Sequence, residues 1–343
     1  MPSIPALVAA LTALGLSAWL TQRFCDPASR LHILDHPNER SLHTRPTPRS
    51  GGIAILFGLL AGGTLTLVVE GGAEIYFWLL VAVLPVAAVS FADDRASVPV
   101  TLRMLVHLVG AGLLVGGGGF ALQQGLIPGV DETWPQWVGT LAALLYVVWM
   151  TNLYNFMDGM DGFAGGMGVF GFGAFFILGV LAGHEQFAAL SLVSAASAGG
   201  FLLFNFPPAR IFMGDVGSSA LGLLAAALTL YGARDGVFPF WVGFLVFSPF
   251  IVDATVTLLR RLSRGEKIWV AHKSHYYQRL VLSGWGHRKT VLYEYALMLA
   301  CGLSALFAQQ MSALGQGALI IFWSLVYAIL MAGVRHLEKK KNP

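Results

Sequence analysis

Five aspartates stand out in a chain that has few acidic residues. Residues 155–166 read NFMDGMDGFAGG, which sets Asp158 and Asp161 in a glycine-rich stretch between two apolar runs. Asp93 and Asp94 are adjacent in FADDRASVP, and Asp215 lies in FMGDVGSS beside Gly217, Ser218 and Ser219. Carboxylates are hard oxygen ligands, and Mg2+ is commonly held by one or two of them with water and substrate phosphates. A lone Asp-Gly is most simply a turn or a helix cap. Five such aspartates favour a metal and phosphate site, in which acidic turns far apart in the chain meet around one divalent ion. The two cysteines, Cys25 and Cys301, adjoin no histidine cluster. That argues against a thiolate zinc site and against a disulfide framework.

Complementary charge is at hand. Residues 35–52, DHPNERSLHTRPTPRSGG, carry Arg40, His43, Arg45 and Arg49. Pro46 and Pro48 stiffen the backbone, and Gly51–Gly52 open the next apolar run. A helix N-terminus favours an anion, and Arg grips phosphate bidentately. The simple alternative is an ordinary basic loop; the stiff Pro-Thr-Pro-Arg before Gly-Gly argues for more. A longer polar stretch, RRLSRGEKIWVAHKSHYYQRLVLSGWGHRK, spans 260–289. Its Trp269, Tyr276, Tyr277 and Trp285 suit a membrane interface. His272, Lys273, His275 and Arg279 there read equally as phosphate or sugar contacts and as an interfacial basic segment.

The elements that must position these residues follow from composition. Of 343 residues, 56% are hydrophobic and 11% charged, with a mean hydropathy of +0.69. Soluble domains are typically about 25% charged, so this is a membrane protein. Runs of roughly 20 apolar residues suffice to span a bilayer. Eleven occur, near 4–22, 51–70, 75–92, 103–122, 136–154, 163–182, 186–204, 217–232, 238–262, 290–309 and 315–334. Membrane β-barrels need short alternating strands, which these runs lack. The expected fold is all-α, a polytopic helical bundle forming a single domain over 1–343 with a basic tail at 335–343.

Charge sets the expected orientation. With the N-terminus on the periplasmic side, twenty of the 21 Lys and Arg fall on the cytoplasmic side and only Arg234 on the outer one. Lys and Arg concentrate in cytoplasmic loops, which predicts N-out and C-in. The first basic residue, Arg23, follows the first apolar run, so that run is expected to be a retained anchor and not a signal peptide. The net charge of +3 suits loops beside anionic lipid and gives no case for nucleic acid.

This topology places all five aspartates at one membrane face, after the third, fifth and seventh runs. The outer acids Glu74, Asp131, Glu132, Glu185 and Asp235 show no such grouping with glycine. A transporter would need binding groups near the midplane and often repeated halves. No internal repeat is evident, and the deep ionisable groups reduce to His107 and Asp253. A scaffold would not need acidic glycine motifs on one face. An enzyme acting on a lipid headgroup fits better. GLLAG at 58–62 has small-residue spacing that packs helices; a homodimer is compatible with it but not required.

Taken together, these segments resemble the polyprenyl-phosphate N-acetylhexosamine-1-phosphate transferases, the MraY/WecA superfamily. The resemblance runs from about residue 35 to 281. RSLHTRPTPRSGG resembles the family's first loop, and Asp93–Asp94 its aspartate pair. NFMDGMDGFAGG matches Asn-x-x-Asp-Gly-x-Asp-Gly, and NFPPARIFMGDVGSS leads into Gly-Asp-x-Gly-Ser. The last loop departs: where many members have His-x-His-His, His275 matches the first His, and Tyr277 and Gln278 replace the others. HKSHYYQRL is similar to the subgroup that initiates O-antigen and related surface polysaccharides, often on N-acetylated 6-deoxyhexoses. The muramoyl-pentapeptide branch has a different triple-His loop.

The resemblance implies transfer of an N-acetyl-sugar 1-phosphate from a UDP-sugar to undecaprenyl phosphate, at the cytoplasmic face of a bacterial inner membrane. It implies Mg2+, with Mn2+ as a substitute, held by Asp215. Asp93 and Asp94 would shape the lipid-phosphate and metal region, with Asp94 as base or nucleophile. Asn155, Asp158, Asp161 and Asn205 would orient nucleotide and pyrophosphate. His43, Arg45, Arg49, Lys273 and Arg279 are the expected phosphate or sugar contacts, and His275 is counted among the catalytic groups.

Overall fold

The computed structural model describes residues 3–38, 41–122, 128, 134–267, 270 and 272–341. Arg40, Asp131, Glu132 and Trp269 lie outside the described residues. In lipid every backbone N–H and C=O must be satisfied within the protein, which turns long apolar runs into helices. These are α1 (Ile4–Phe24), α2 (Gly51–Glu70), α3 (Ala73–Arg95), α4 (Val100–Gly112), α5 (Gln136–Phe156), α6 (Phe163–Leu181), α7 (Glu185–Asn205) and α8 (Gly214–Arg234). A wider π-helical turn, Leu113–Gly117, extends α4. All lie within a few residues of the apolar runs.

The run at 238–262 is not one straight span. It forms α9 (Phe240–Val246) and α10 (Ser248–Leu262), set at 82° to each other. Pro249 lies in the first turn of α10; without an N–H it can begin a helix but not continue one. The tenth run also differs, because helix starts well before residue 290. It comprises α11 (Tyr276–Leu280), a π-helical turn at Val281–Trp285, and α12 (Gly286–Ala308). Gly284, at φ +100°, marks the kink. The expected basic tail continues α13 (Ala313–Lys341) up to Lys341. Among the described residues ten helices are long and apolar enough to cross a membrane, or eleven with α9–α10 counted as a span.

Helix α8 is the axis of the bundle. Val216–Gly232 is buried without interruption, packed by α2, α3, α5, α6, α7 and α9. Its run of Gly, Ala and Ser lets neighbouring backbones approach closely, which is what holds helices together where lipid removes the hydrophobic drive. The GLLAG stretch is engaged within the chain. A Cβ on Gly62 would come 2.7 Å from Val193 of α7 and 2.9 Å from Ala13 of α1. One short antiparallel hairpin, β1 (Leu34–Asp35) with β2 (Thr47–Pro48), lies in the first long connection and pairs Asp35 with Thr47. The sequence pattern there indicates only a stiff loop.

Candidate active site

The hairpin aims the first loop at the start of α8. Phe212 N–H donates to Pro48 O at 2.7 Å, Gly51 N–H to Phe212 O at 3.0 Å, and Gly52 N–H to Met213 O at 2.7 Å. Only small residues allow this junction. A Cβ on Gly52 would lie 2.1 Å from the Gly217 nitrogen, and one on Gly214 would lie 2.3 Å from Arg49 O. Gly214 also sits at φ +73°, where L side chains are strained. PRSGG and MGDVG are therefore two halves of one structure. From it Arg49 donates through Nη2 to Asp94 O at 2.5 Å and lies 3.6 Å from Asp35. His43 also lies 3.6 Å from Asp35, with its ring edge-on to Phe212 at 4.8 Å.

The five aspartates divide by what they hold. Asp94 is 5% exposed and accepts the backbone N–H groups of Asp215 (3.2 Å) and Val216 (3.3 Å). It thus places a carboxylate at the positive end of α8. Asp93 accepts Val98 N–H at 2.7 Å and pairs with Arg103. Asp161 accepts Ala209 N–H at 3.0 Å and lies 3.1 Å from Nδ1 of His287. Asp215 accepts Asn155 Nδ2–H at 2.8 Å, and Arg103 reaches its other oxygen at 3.4 Å. Asp158 differs: among the described residues its carboxylate has no hydrogen bond or ion pair. Burial, and then the negative charges of Asp215, Asp94 and Asp161, push it well above the ordinary carboxylate range.

No group of three or more His, Cys, Asp or Glu among the described residues is arranged to hold a metal ion. Five carboxylates around one ion is therefore not the arrangement found. Asp93, Asp94 and Asp161 already serve an arginine, backbone N–H groups and a histidine. Asp158, and Asp215, which Asn155 holds and Arg103 reaches only at 3.4 Å, are the two that could hold a divalent cation, a number that suits Mg2+ with phosphate and water completing its shell.

A cavity of about 200 Å3 joins these groups. Its walls include Asp35, His43 and Arg49 from the first loop, Asp94 and Asp215 at the α3 and α8 ends, Asn155 in the last turn of α5, and Asp158 and Asp161 between α5 and α6. Asn205, Gln278 and His287 complete it. Asn205 is fastened by structure: its Oδ1 accepts Gly162 N–H at 2.9 Å and its Nδ2 donates to Ile211 O at 2.8 Å. Acidic and basic walls facing one space are what a metal-bridged phosphate would need.

The chain is similar to known proteins along most of its length. A model described as glycosyl transferase family 4 matches residues 76–233. A probable undecaprenyl-phosphate N-acetylglucosaminyl 1-phosphate transferase of Bacillus subtilis is 30% identical over 322 residues, covering 92% of this chain and 87% of the relative. The chain belongs to glycosyl transferase family 4, in the MraY/WecA superfamily. A decaprenyl-phosphate N-acetylglucosaminephosphotransferase of Mycobacterium leprae is 31% identical over 324 residues, covering 83% of this chain and 80% of the relative. A phospho-N-acetylmuramoyl-pentapeptide-transferase of Moorella thermoacetica is 30% identical over 276 residues, with 76% and 84% covered.

In this family 4 chain the altered His segment forms α11. Asp253 of α10 accepts the N–H groups of Tyr276 (2.8 Å) and Tyr277 (3.0 Å), capping that helix. His275 is buried 3.5 Å from Asp253, stacked near Phe156 and Tyr277, and does not line the cavity. Tyr277, fully buried, donates to Phe156 O at 3.2 Å. Gln278 alone of this segment reaches the cavity wall. Arg45 is exposed and does not line the cavity, and Lys273 and Arg279 line a different one. The residues that sequence reasoning passed over are Asp35, Arg103, Gln278 and His287. Asp35 opens the basic loop and Gln278 stands at an expected His, so both had a signal; Arg103 was visible only as one of many positive charges, and His287 carries no local signature.

Proposed function

We propose that this chain transfers an N-acetylhexosamine or N-acetylated 6-deoxyhexose 1-phosphate from a UDP-sugar to undecaprenyl phosphate, giving undecaprenyl-diphospho-sugar and UMP. The step initiates an O-antigen or related surface polysaccharide at the cytoplasmic face of a bacterial inner membrane. The observation that carries this is Asp158: a carboxylate without a cation partner among the described residues, in a cavity that Asp215, Arg49 and His43 also line. The names of its relatives support the reaction class, and the twenty-to-one distribution of Lys and Arg supports the orientation. The segment HKSHYYQRL, with Gln278 at the wall, supports the choice of sugar class.

The attacking lipid phosphate is largely ionised near neutral pH, with a second pKa of about 6. An oxygen of it bonds to the sugar-bearing phosphorus, and the bond from that phosphorus to the oxygen of UMP breaks. The protein's task is positioning and charge neutralisation more than proton removal. Arg49 and His43 hold phosphate oxygens, and Asn155 fixes the rotamer of Asp215. Mg2+ bound between Asp158 and Asp215 would offset the pyrophosphate charge and the charge developing on UMP. Asp94 has both oxygens on backbone N–H groups, an arrangement that favours direct attack by the lipid over a phosphorylated Asp94.

The test is a panel of UDP-N-acetyl-sugars with purified protein, Mg2+ and undecaprenyl phosphate, reading UMP and the mass of the glycolipid. One sugar should yield both products only when lipid phosphate is present, and Asp215→Asn should abolish turnover in a folded protein. Intact UDP-sugar across the panel would point to a flippase or transporter instead. Exchange of labelled UMP into UDP-sugar without lipid would require an enzyme-bound intermediate.

A further inference from the structure

Helix α11 separates two cavities. Gln278 faces the acidic one, while Lys273, Ser274 and Arg279 face a second cavity of about 450 Å3 between the end of α10 and Glu338 of α13. Five cations line it, Arg260, Arg261, Arg264, Lys273 and Arg279, against two carboxylates, Glu266 and Glu338. The two linings share no residue. A basic cavity beside an enzyme's reaction site, yet walled off from it, calls for its own anion.

Its two innermost arginines are each 8% exposed in their side chains. Arg261 is fully engaged: Nε donates to Glu266 at 2.8 Å, Nη1 to Val270 O at 3.2 Å and Nη2 to Lys267 O at 3.1 Å. Arg279 is not. Glu338 takes its Nε at 2.6 Å and also its Nη2, and the guanidinium lies 4.6 Å over the Tyr276 ring. Its Nη1 is left buried with no hydrogen-bond partner among the described residues. A buried charged donor without an acceptor is destabilising, and a phosphate oxygen is the acceptor that a held guanidinium fork suits. The neighbouring surface is apolar: Leu259 and Leu262 are each 57% exposed, and Leu282, in the cavity wall, is 44% exposed. Trp285, stacked under Lys289 at 4.2 Å, adds the aromatic–cation pair typical of a membrane interface.

We propose that this second cavity binds the phosphate of an acidic phospholipid headgroup, with Arg279 Nη1 as its inner donor and Arg260 and Arg264 at its rim. Phosphate is the shared chemistry; the apolar surround selects a lipid as its bearer. The proposal does not rest on the transfer reaction, because binding is measured without nucleotide sugar or divalent cation.

The full chain in detergent is titrated with short-chain phosphatidylglycerol, short-chain phosphatidylcholine or inorganic phosphate, following thermal unfolding. Phosphatidylglycerol should raise Tm saturably and phosphatidylcholine should not. The rim variant Arg260→Gln/Arg264→Gln should weaken the phosphatidylglycerol response at least about tenfold, equivalent to about 1.4 kcal/mol. Asp158→Asn, in the other cavity, should leave that affinity unchanged. A saturable response to inorganic phosphate of equal strength, lost in the rim variant, would overturn the lipid as occupant and leave a free phosphate in its place. Equal affinities in wild type and rim variant, or no saturable response to either phosphate compound, overturn the proposal.

Discussion

Asp158→Asn removes one charge from the most crowded point of the site while keeping the side chain's shape. In the wild type, burial and the carboxylates of Asp215, Asp94 and Asp161 raise the Asp158 carboxyl well above its ordinary value of 3.8. Between the unfolded and folded values, the folded chain keeps a proton that the unfolded chain has released. Such a group's stabilising contribution is complete below the unfolded value and is lost as pH rises through the folded one. Where only the folded state holds the proton, the slope is about −1.4 kcal/mol per pH unit. Asp158 is only partly buried, and water screens its neighbours, which narrows the pH range over which that slope holds and leaves the slope itself unchanged. Asn does not titrate, so the variant should show a flatter profile and greater stability at neutral pH, with transfer activity lost. Unfolding in detergent with a chelator, over roughly pH 5 to 8, measures both curves. Adding Mg2+ should stabilise the wild type, by about 2.7 kcal/mol at a hundredfold excess over Kd, and the variant far less. Equal pH slopes in chelator, or equal stabilisation of both proteins by Mg2+, would refute the claim that Asp158 lacks a cation.

Asn155→Ala removes the Nδ2 donor that holds Asp215 at 2.8 Å. A hydrogen bond to a charged group is worth about 1.5–3 kcal/mol, so UMP release should fall roughly 10- to 150-fold in a folded protein; unchanged turnover would remove Asn155 from the positioning of Asp215. Gly214→Ala places a Cβ 2.3 Å from Arg49 O at a φ of +73°. It should cost at least about 1 kcal/mol, seen as a lower Tm together with lower activity, since the same junction carries Arg49 and Asp215. A variant as stable as wild type would show that the loop and α8 are not locked together there.

Much of this architecture was legible because the membrane simplifies the chain. Most of the apolar runs are helices near their expected limits, and the tenth and eleventh extend past theirs as helix, since a segment in lipid has no other way to satisfy its backbone. The exception, 238–262, is uniformly apolar, so hydropathy alone could not show the break; Pro249 was its only local mark. Asp158, Asp161 and Asp215 could be found because charge is rare in so apolar a chain. The hairpin pairing Asp35 with Thr47 was not legible: two residues per strand carry no periodicity, and β2 is bonded to Phe212, far along the sequence. The placement of His275 was hidden for a related reason. Its spacing matches a family position, yet its ring packs between Phe156 and Tyr277 and turns toward Asp253.

The same displacement of role explains why five aspartates do not make five ligands. Asp94 and Asp253 perform parallel tasks from different helices. Each receives two successive backbone N–H groups at the start of a neighbouring helix: Asp94 those of Asp215 and Val216, Asp253 those of Tyr276 and Tyr277. A side chain that caps its own helix fixes only a local turn. One that caps another helix fixes the register between two helices, and in this chain each capped helix carries a residue of the cavity wall. Asp215 is therefore held by the packing of α3 on α8, and Gln278 by that of α10 on α11, whatever the flexibility of the loops between them. An acid at a site in a membrane protein is as apt to hold the wall as to face the substrate. The two are separated by whether its oxygens already meet backbone N–H groups, as those of Asp94 do, or meet none, as those of Asp158 do among the described residues.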